Sequence, residues 1–390
     1  MKHLAYGLII FLFLAGIGFA ATDSVMLVTD MTSVDATIAS AAASKAGVPV
    51  LILENGLLSD AIKSKLSGFK NVILVGGPVV IKPQVEKELS NSGYNVIRLW
   101  GFERTGTAVA VSRYFWSEGA SCVVLVDDTK NSDADSRMQM AASNLAAKFN
   151  CTFIPVPEGS VPTEVMALLG DLGIKDIRFV GKRISLEARN KLRGFIFKEI
   201  IGDDDEIEDE IGNNITNSTR NPKLVIVATP DWKAAIAIGS HPNQNSVVRQ
   251  VYNVSQIARI IDFIKMHNIT DVRVVGVPPL ADRIAEMLEA ANITVTKFSG
   301  QKASEISKEI FEHEKDEWSK LRIIDDNNRL RFSFRIKPFL EDDINDTITK
   351  LNVVLAQLDS LNTTTDVENA KTAIEAAKAR ITEVRNLLQS

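Results

Sequence analysis

Histidine and cysteine are scarce in this chain, four and two among 390 residues. So few soft and borderline ligands leave little from which to build a zinc site, and no metal is expected. His3, His241, His267 and His313 stand beside no serine or cysteine in a nucleophile motif. A basic excess is also missing, since the net charge is −5. Nucleic-acid-binding surfaces carry a surplus of lysine and arginine, so nucleic acid is not an expected partner. No G-x-G-x-x-G opens a strand-to-helix turn, and no G-x-x-x-x-G-K-[ST] occurs anywhere. Without these phosphate-gripping fingerprints no nucleotide cofactor is expected. Beyond the first twenty residues no stretch is apolar enough to cross a bilayer.

What is present begins with "MKHLAYGLIIFLFLAGIGFAAT". Lys2, an apolar run from Leu8 to Phe19, and small residues at Gly18, Ala20 and Ala21 form the pattern of a secretory signal. Residues 1–20 are expected to be that signal, cleaved after Ala20, or else a retained N-terminal anchor. Either places the remainder outside the cell, in association with the envelope. Eight Asn-x-Ser/Thr sequons agree with export: Asn150, Asn214, Asn217, Asn253, Asn268, Asn292, Asn345 and Asn362. Composition alone would give about three. Cys122 and Cys151 each open an apolar strand of one α/β unit. In an exported protein they either form a disulfide or remain as two buried thiols.

The chain repeats itself. "SVMLVTD" (24–30), "CVVLVDD" (122–128) and "KLVIVAT" (223–229) match, as do "NVILVGG", "DIRFVGK" and "DVRVVGV". Gly101, Gly202 and Gly300 close a third set of strands, at intervals of about one hundred residues. Each repeat alternates Val/Ile/Leu-rich strands, apolar on both faces, with helices. That pattern predicts a covered parallel sheet in a Rossmann-like α/β unit. Three such repeats are expected, at 22–118, 119–213 and 221–318.

In a doubly wound sheet the loops that follow the strands gather along one edge. Asp30, Asp35, Gly76, Gly77, Arg104 and Thr107 fall there and are the candidate binding residues. The glycine pair either shapes a phosphate site or permits a tight turn. With no fingerprint in support, the turn is the expected role.

"TSVDATIASAAASKAGVPVLIL", "VILVGGPVVIKPQVEKEL" and "IRLWGFERTGTAVAVSRYF" together resemble the type 2 cell-wall-binding repeat. That family occurs as tandem triplets in surface-layer and other envelope proteins. Its Asp-Ala, Val-Gly-Gly and G-x-x-R-[YF]-x-T-A features correspond to Asp35-Ala36, Val75-Gly76-Gly77, and Gly101, Arg104, Thr107 and Ala108. Thr105 stands where an aromatic is usual. Asp205 and Ala303 replace the arginine after Gly202 and Gly300, so only the first repeat keeps the whole signature. The resemblance implies three repeats in pseudo-threefold arrangement that hold an anionic wall polymer non-covalently, so a cell-surface glycan or other envelope polymer is the expected partner and no catalysis is expected. An envelope hydrolase and a small-ligand receptor built on the same repeats are the alternatives.

"GDDDEIEDEIGN" (202–213) lacks the spacing of a calcium loop and is expected to be a solvated linker. The segment 329–339 reads as extended. Residues 338–390 then show helical stripes: Ile344, Ile348, Leu351, Leu355 and Leu358, then Val367, Ala370, Ile374, Ala377, Ile381, Val384 and Leu388. A helical hairpin or coiled coil is expected there, available for self-association or a partner helix.

Overall fold

The computed structural model describes residues 23–229 and 245–325, together with Trp232, Ala237 and isolated positions between 348 and 382. The expected signal segment and the sequons at Asn345 and Asn362 lie outside the described residues. So does the tail 338–390, except for those isolated positions, which are helical.

Among the described residues, continuous apolar runs form twelve strands arranged as three four-stranded parallel sheets. The first sheet takes β1 (Ser24–Thr29), β2 (Val50–Leu53), β3 (Asn71–Val75) and β4 (Asn95–Leu99) in the order β2-β1-β3-β4. Leu27 pairs with Leu51 on one side and Leu74 on the other. The second sheet has β5 (Cys122–Asp128), β6 (Thr152–Pro157), β7 (Asp176–Gly181) and β8 (Ile196–Ile201) in the order β6-β5-β7-β8. The third has β9 (Lys223–Ala228), β10 (Ser246–Val251), β11 (Asp271–Gly276) and β12 (Val295–Ser299) in the order β10-β9-β11-β12. One strand order thus occurs three times.

Eleven α-helices complete the repeats among the described residues. The first repeat has α1 (Ser33–Ala46), α2 (Asp60–Lys65), α3 (Pro83–Asn91) and α4 (Arg104–Phe115). The second has α5 (Ser132–Phe149), α6 (Thr163–Asp171), α7 (Leu186–Lys191) and α8 (Asp204–Asn217). The third has α9 (Ile257–Met266), α10 (Leu280–Ala290) and α11 (Ala303–Asp325).

The described residues between 23 and 325 belong to one compact unit, and the repeats within it interlock in one direction. The last helix of each repeat packs on the second strand of the next: α4 on β6, α8 on β10, and α11 back on β2. Those strands are sheet edges, which would otherwise expose unpaired backbone groups. The sequence covers them by different devices. In β6, Pro155 and Pro157 have no N–H, and Thr105 Oγ1 of α4 donates to Pro155 O at 2.8 Å. On β10, the Asn144 side chain of α5 donates to Ser246 O at 2.8 Å and accepts from Val248 N at 3.1 Å. Glu208 of α8 accepts from Gln250 N at 3.0 Å. The aromatic missing at Thr105 is therefore a hydroxyl that joins two repeats.

Helix α1 shows why its sequence is so rich in alanine and serine. Every residue of it except Lys45 is buried. A helix covered all round needs no polar face, and small side chains let α5 approach closely. Ser143 Oγ on α5 donates to Thr37 O on α1 at 2.7 Å. Gly47, at φ 62°, caps the C-terminus of α1 in the left-handed region.

The acidic run is not a linker. It forms α8, opened by a capping box between Asp203 and Glu206. Ile207, Ile211 and Ile215 turn inward on one face. Asp205, Glu208 and Asp209 meet arginines of the second and third repeats: Asp205 and Glu208 bond Arg137, and Asp205 and Asp209 bond Arg259. The carboxylates that made the segment look solvated lie in a seam between repeats.

Cys122 and Cys151 form a disulfide with their Cα atoms 4.7 Å apart. It ties the start of β5 to the residue that precedes β6.

Candidate functional site

The candidate residues of the first repeat come together at the C-terminal edge of its sheet. Between β1 and β3 the strand order changes direction, and doubly wound sheets place their ligands at such a switch point. Asp35, in the first turn of α1, and Gly76, at the end of β3, meet there. Gly76 has φ 130°, and a Cβ on it would stand 3.0 Å from Asp35 Oδ2 and 3.2 Å from Val80 Cγ2. A Cβ on Gly77 would stand 3.2 Å from the Trp100 ring. The two glycines make room for a carboxyl on one side and an indole on the other.

Backbone and side-chain bonds knit the surrounding loops together. Asp30 accepts from Asn55 N at 2.6 Å, joining the loops after β1 and β2. Arg98 on β4 donates to Gly76 O and Ile81 O at 3.0 and 3.1 Å, holding the loop after β3. Thr107 Oγ1 accepts from Gly101 N at 3.1 Å. A Cβ on Gly101 would lie 2.3 Å from the Gly106 carbonyl carbon, so the end of β4 touches α4 backbone to backbone.

Arg104 reaches beyond its own repeat. Its Nη1 donates to Asp128 Oδ1 at 2.6 Å, and Asp128 lies at the end of β5. Asp30 and Asp35 are not its bonded partners, although its charge acts on Asp35. Asp128 also accepts from Lys130 N at 3.1 Å. The ion pair is mostly enclosed, with side-chain exposures of 26% and 5%. Replacing Arg104 by alanine should lower stability by about 1.5–3 kcal/mol, read as a shift of the urea midpoint at unchanged slope. An unchanged midpoint would show that this pair contributes nothing to the seam.

Asp35 is the unusual group. It is buried, at 6% exposure, and no residue among those described donates a hydrogen bond to its side chain. Burial pushes its carboxyl from 3.8 up to about 7, against the lowering pull of Arg104. Asp127, at the end of β5 in the second repeat, is a buried carboxyl of another kind. It accepts from Gly159 N at 3.1 Å and from Lys182 N at 2.9 Å. Burial raises that carboxyl and those amides oppose the rise.

The sequence reading missed the apolar rim of this edge. Met31, Leu57, Val79, Trp100 and Phe102 are all exposed there. The signal was available in "LWGFER": two aromatics around a glycine, directly after a strand. Of the sequons, Asn150, Asn214, Asn217, Asn253, Asn268 and Asn292 are exposed. No helix among the described residues is long and apolar enough to cross a membrane.

Comparison with known proteins adds a family and a fold. The cell wall binding domain 2 family matches residues 9–86. Two uncharacterized archaeal proteins are similar in sequence. One, from Pyrococcus abyssi, is 26% identical over 139 residues, which is 34% of this chain and 40% of the relative. The other, from Pyrococcus horikoshii, is 24% identical over 151 residues, 37% of this chain and 44% of the relative. The chain therefore spans less than half the length of either. Among solved structures, Cwp8 from Clostridium difficile superposes with a TM-score of 0.56 at 18% identity, over 71% of this chain and 48% of that one. Cwp6 from the same organism gives 0.53 at 16% identity, over 65% of this chain and 41% of that one. These two share the fold. The first repeat, through residues 9–86, is thus matched by cell wall binding domain 2, the family whose motifs its sequence resembles.

Proposed function

We propose that this is an exported cell-envelope protein that holds a surface polymer through its three α/β repeats and catalyses no reaction. The observation that carries this reading is the match of residues 9–86 to cell wall binding domain 2. The functional repeats run over 22–118, 119–213 and 221–318, preceded by a signal or anchor at 1–20. The helical tail, 338–390, serves self-association or a partner helix. The exposed sequons are sites of glycosylation.

Interlocking repeats give such a protein a broad rigid face, and linked weak contacts along it add through effective concentration. The acidic balance of the chain disfavours a strongly anionic partner held by charge alone.

The test is retention of the full chain on isolated envelopes of the source cell, with soluble carbohydrate measured in the supernatant. Retention without release of fragments is expected. A chain that stays in solution defeats the binding reading, and one that liberates soluble fragments is a hydrolase.

A further inference from the structure

Single exposed apolar side chains are ordinary, but a group of them at one place marks a contact surface. In the first repeat Met31, Leu57, Val79, Trp100 and Phe102 follow the ends of β1, β2, β3 and β4 in turn. Val79 and Phe102 are 76% and 97% exposed. Their loops adjoin one another. Asp30 bonds Asn55, Lys82 N donates to Gly56 O at 3.4 Å, Gly76 N donates to Leu99 O at 3.0 Å, and the Trp100 ring lies against Gly77. Among the exposed apolar side chains described in the second repeat, Ile201 ends β8 and Leu186 follows the loop after β7, and no aromatic is among them.

The polar groups of this edge narrow the choice of occupant. The cations that approach it are already engaged. Arg104 pairs with Asp128, Lys302 with Glu54 and Lys130 with Glu103, while Lys82 donates to Val79 O. Three of these four cations are paired with carboxylates, and among them Lys82 alone, held only by a neutral carbonyl, keeps an uncompensated charge. Beside the indole, across the Gly76-Gly77 turn, stands Asp35, a buried carboxyl with no hydrogen bond among the described residues. Asp127, a β5 residue of the second repeat that lies beside Gly181, is by contrast bonded by two loop amides. Holding a carboxyl out of water without a donor costs stability, so the position calls for a donor from outside.

From these groups we propose that the strand-end edge of the first repeat binds an uncharged sugar ring. Trp100 and Phe102 stack on its C–H face, and Asp35 accepts a hydrogen bond from one of its hydroxyls. A pyranose has this combination of an apolar face and a hydroxyl rim. Flat aromatics meet the face, and a few placed polar groups fix the orientation. The proposal rests on the envelope-binding reading and adds that the contact made by the first repeat is by stacking, to a neutral unit of the polymer.

The experiment is calorimetric titration of the full chain with neutral oligosaccharides of glucose, mannose, galactose and N-acetylglucosamine, and with a polyuronate as the anionic control. Saturable binding to a neutral oligosaccharide is expected, and Trp100→Ala and Phe102→Ala should each weaken it at least about tenfold. Phe102 is fully exposed, so its replacement leaves folding intact and a loss of affinity reports on contact. Asp35→Asn should weaken binding while retaining the stacking. Absence of binding to every neutral probe overturns the proposal. So does binding that the aromatic replacements leave unchanged, preference for the polyuronate, or patch variants that only abolish self-association. Envelope retention measured on the same variants separates the two ideas. Retention without oligosaccharide binding leaves the envelope reading standing and removes this site.

Discussion

Replacing Glu208 by alanine should cost the protein about 3–5 kcal/mol and lower its melting temperature by roughly 5–10 °C. Glu208 is buried in the seam between the second and third repeats. One oxygen accepts from Arg137 Nη2 at 2.6 Å, and the other from Gln250 N at 3.0 Å. Arg249, also buried, pairs with Asp209 at 2.6 Å and lies over the Phe263 ring at 4.1 Å. Removing the Glu208 carboxylate leaves the edge amide of β10 without its acceptor. It also strips Arg137 of its enclosed partner, leaving only the more exposed Asp205. A stranded buried charge is what makes breaking such a pair expensive. The measurement is thermal unfolding followed by circular dichroism. Joint replacement of Arg137 by methionine and Glu208 by leucine should recover much of the loss, because it removes both charges. A Glu208→Ala protein that melts within about a degree of the parent would mean that the cluster is solvated and not part of a sealed seam.

The contrast between the two charged seams explains what the sequence could and could not show. Strand runs such as "SVMLVTD" and "CVVLVDD" are apolar on both faces, and that alone implies covered parallel sheets. Their recurrence implies three of them. Gly47, which caps α1, is equally local, since it directly follows the alanine- and serine-rich stretch that forms the helix. The partners of Arg104 and Asp205 were not local. Each lies three residues after the glycine that closes a strand, so Asp205 reads as the loss of a cation. In the structure it accepts from Arg137 and Arg259, 68 and 54 residues away. The seam has kept its ion pairs and exchanged their polarity. Composition misled for a related reason. A dense acidic run reads as a solvated segment unless the arginines that neutralise it are known, and those stand on other elements. The strand-end edge was legible as a place, through the α/β alternation. Which of its residues are committed to holding loops, and which face outward, depended on contacts such as Asp30 with Asn55 that no spacing encodes.

Asp35 gives the last expected result, a stability that falls between about pH 4 and pH 7 and then levels off. In the folded protein burial raises this carboxyl from 3.8 to about 7, with Arg104 opposing the rise. Below the unfolded value both states hold the proton and there is no penalty. Between the two values the unfolded chain releases its proton and the folded one keeps it, so raising the pH favours unfolding. Above the folded value the whole cost is in place, on the order of 4 kcal/mol for a shift of this size. Asp35→Asn keeps the shape of the side chain and removes the charge. The variant should match the parent near pH 4 and exceed it by several kcal/mol at pH 8, measured by urea unfolding at both values. Burial also raises Asp127 and Asp135, but their slope is common to parent and variant, and the difference isolates Asp35. Equal pH slopes in the two proteins would show that Asp35 is hydrated or bonded in solution. Arg104→Ala should act in the opposite sense on the same group. Without the guanidinium the carboxyl holds its proton to still higher pH, and the levelling point moves up with it. A side chain that lowers stability at neutral pH, beside a rim of exposed aromatics, is one that a purely structural role would not select.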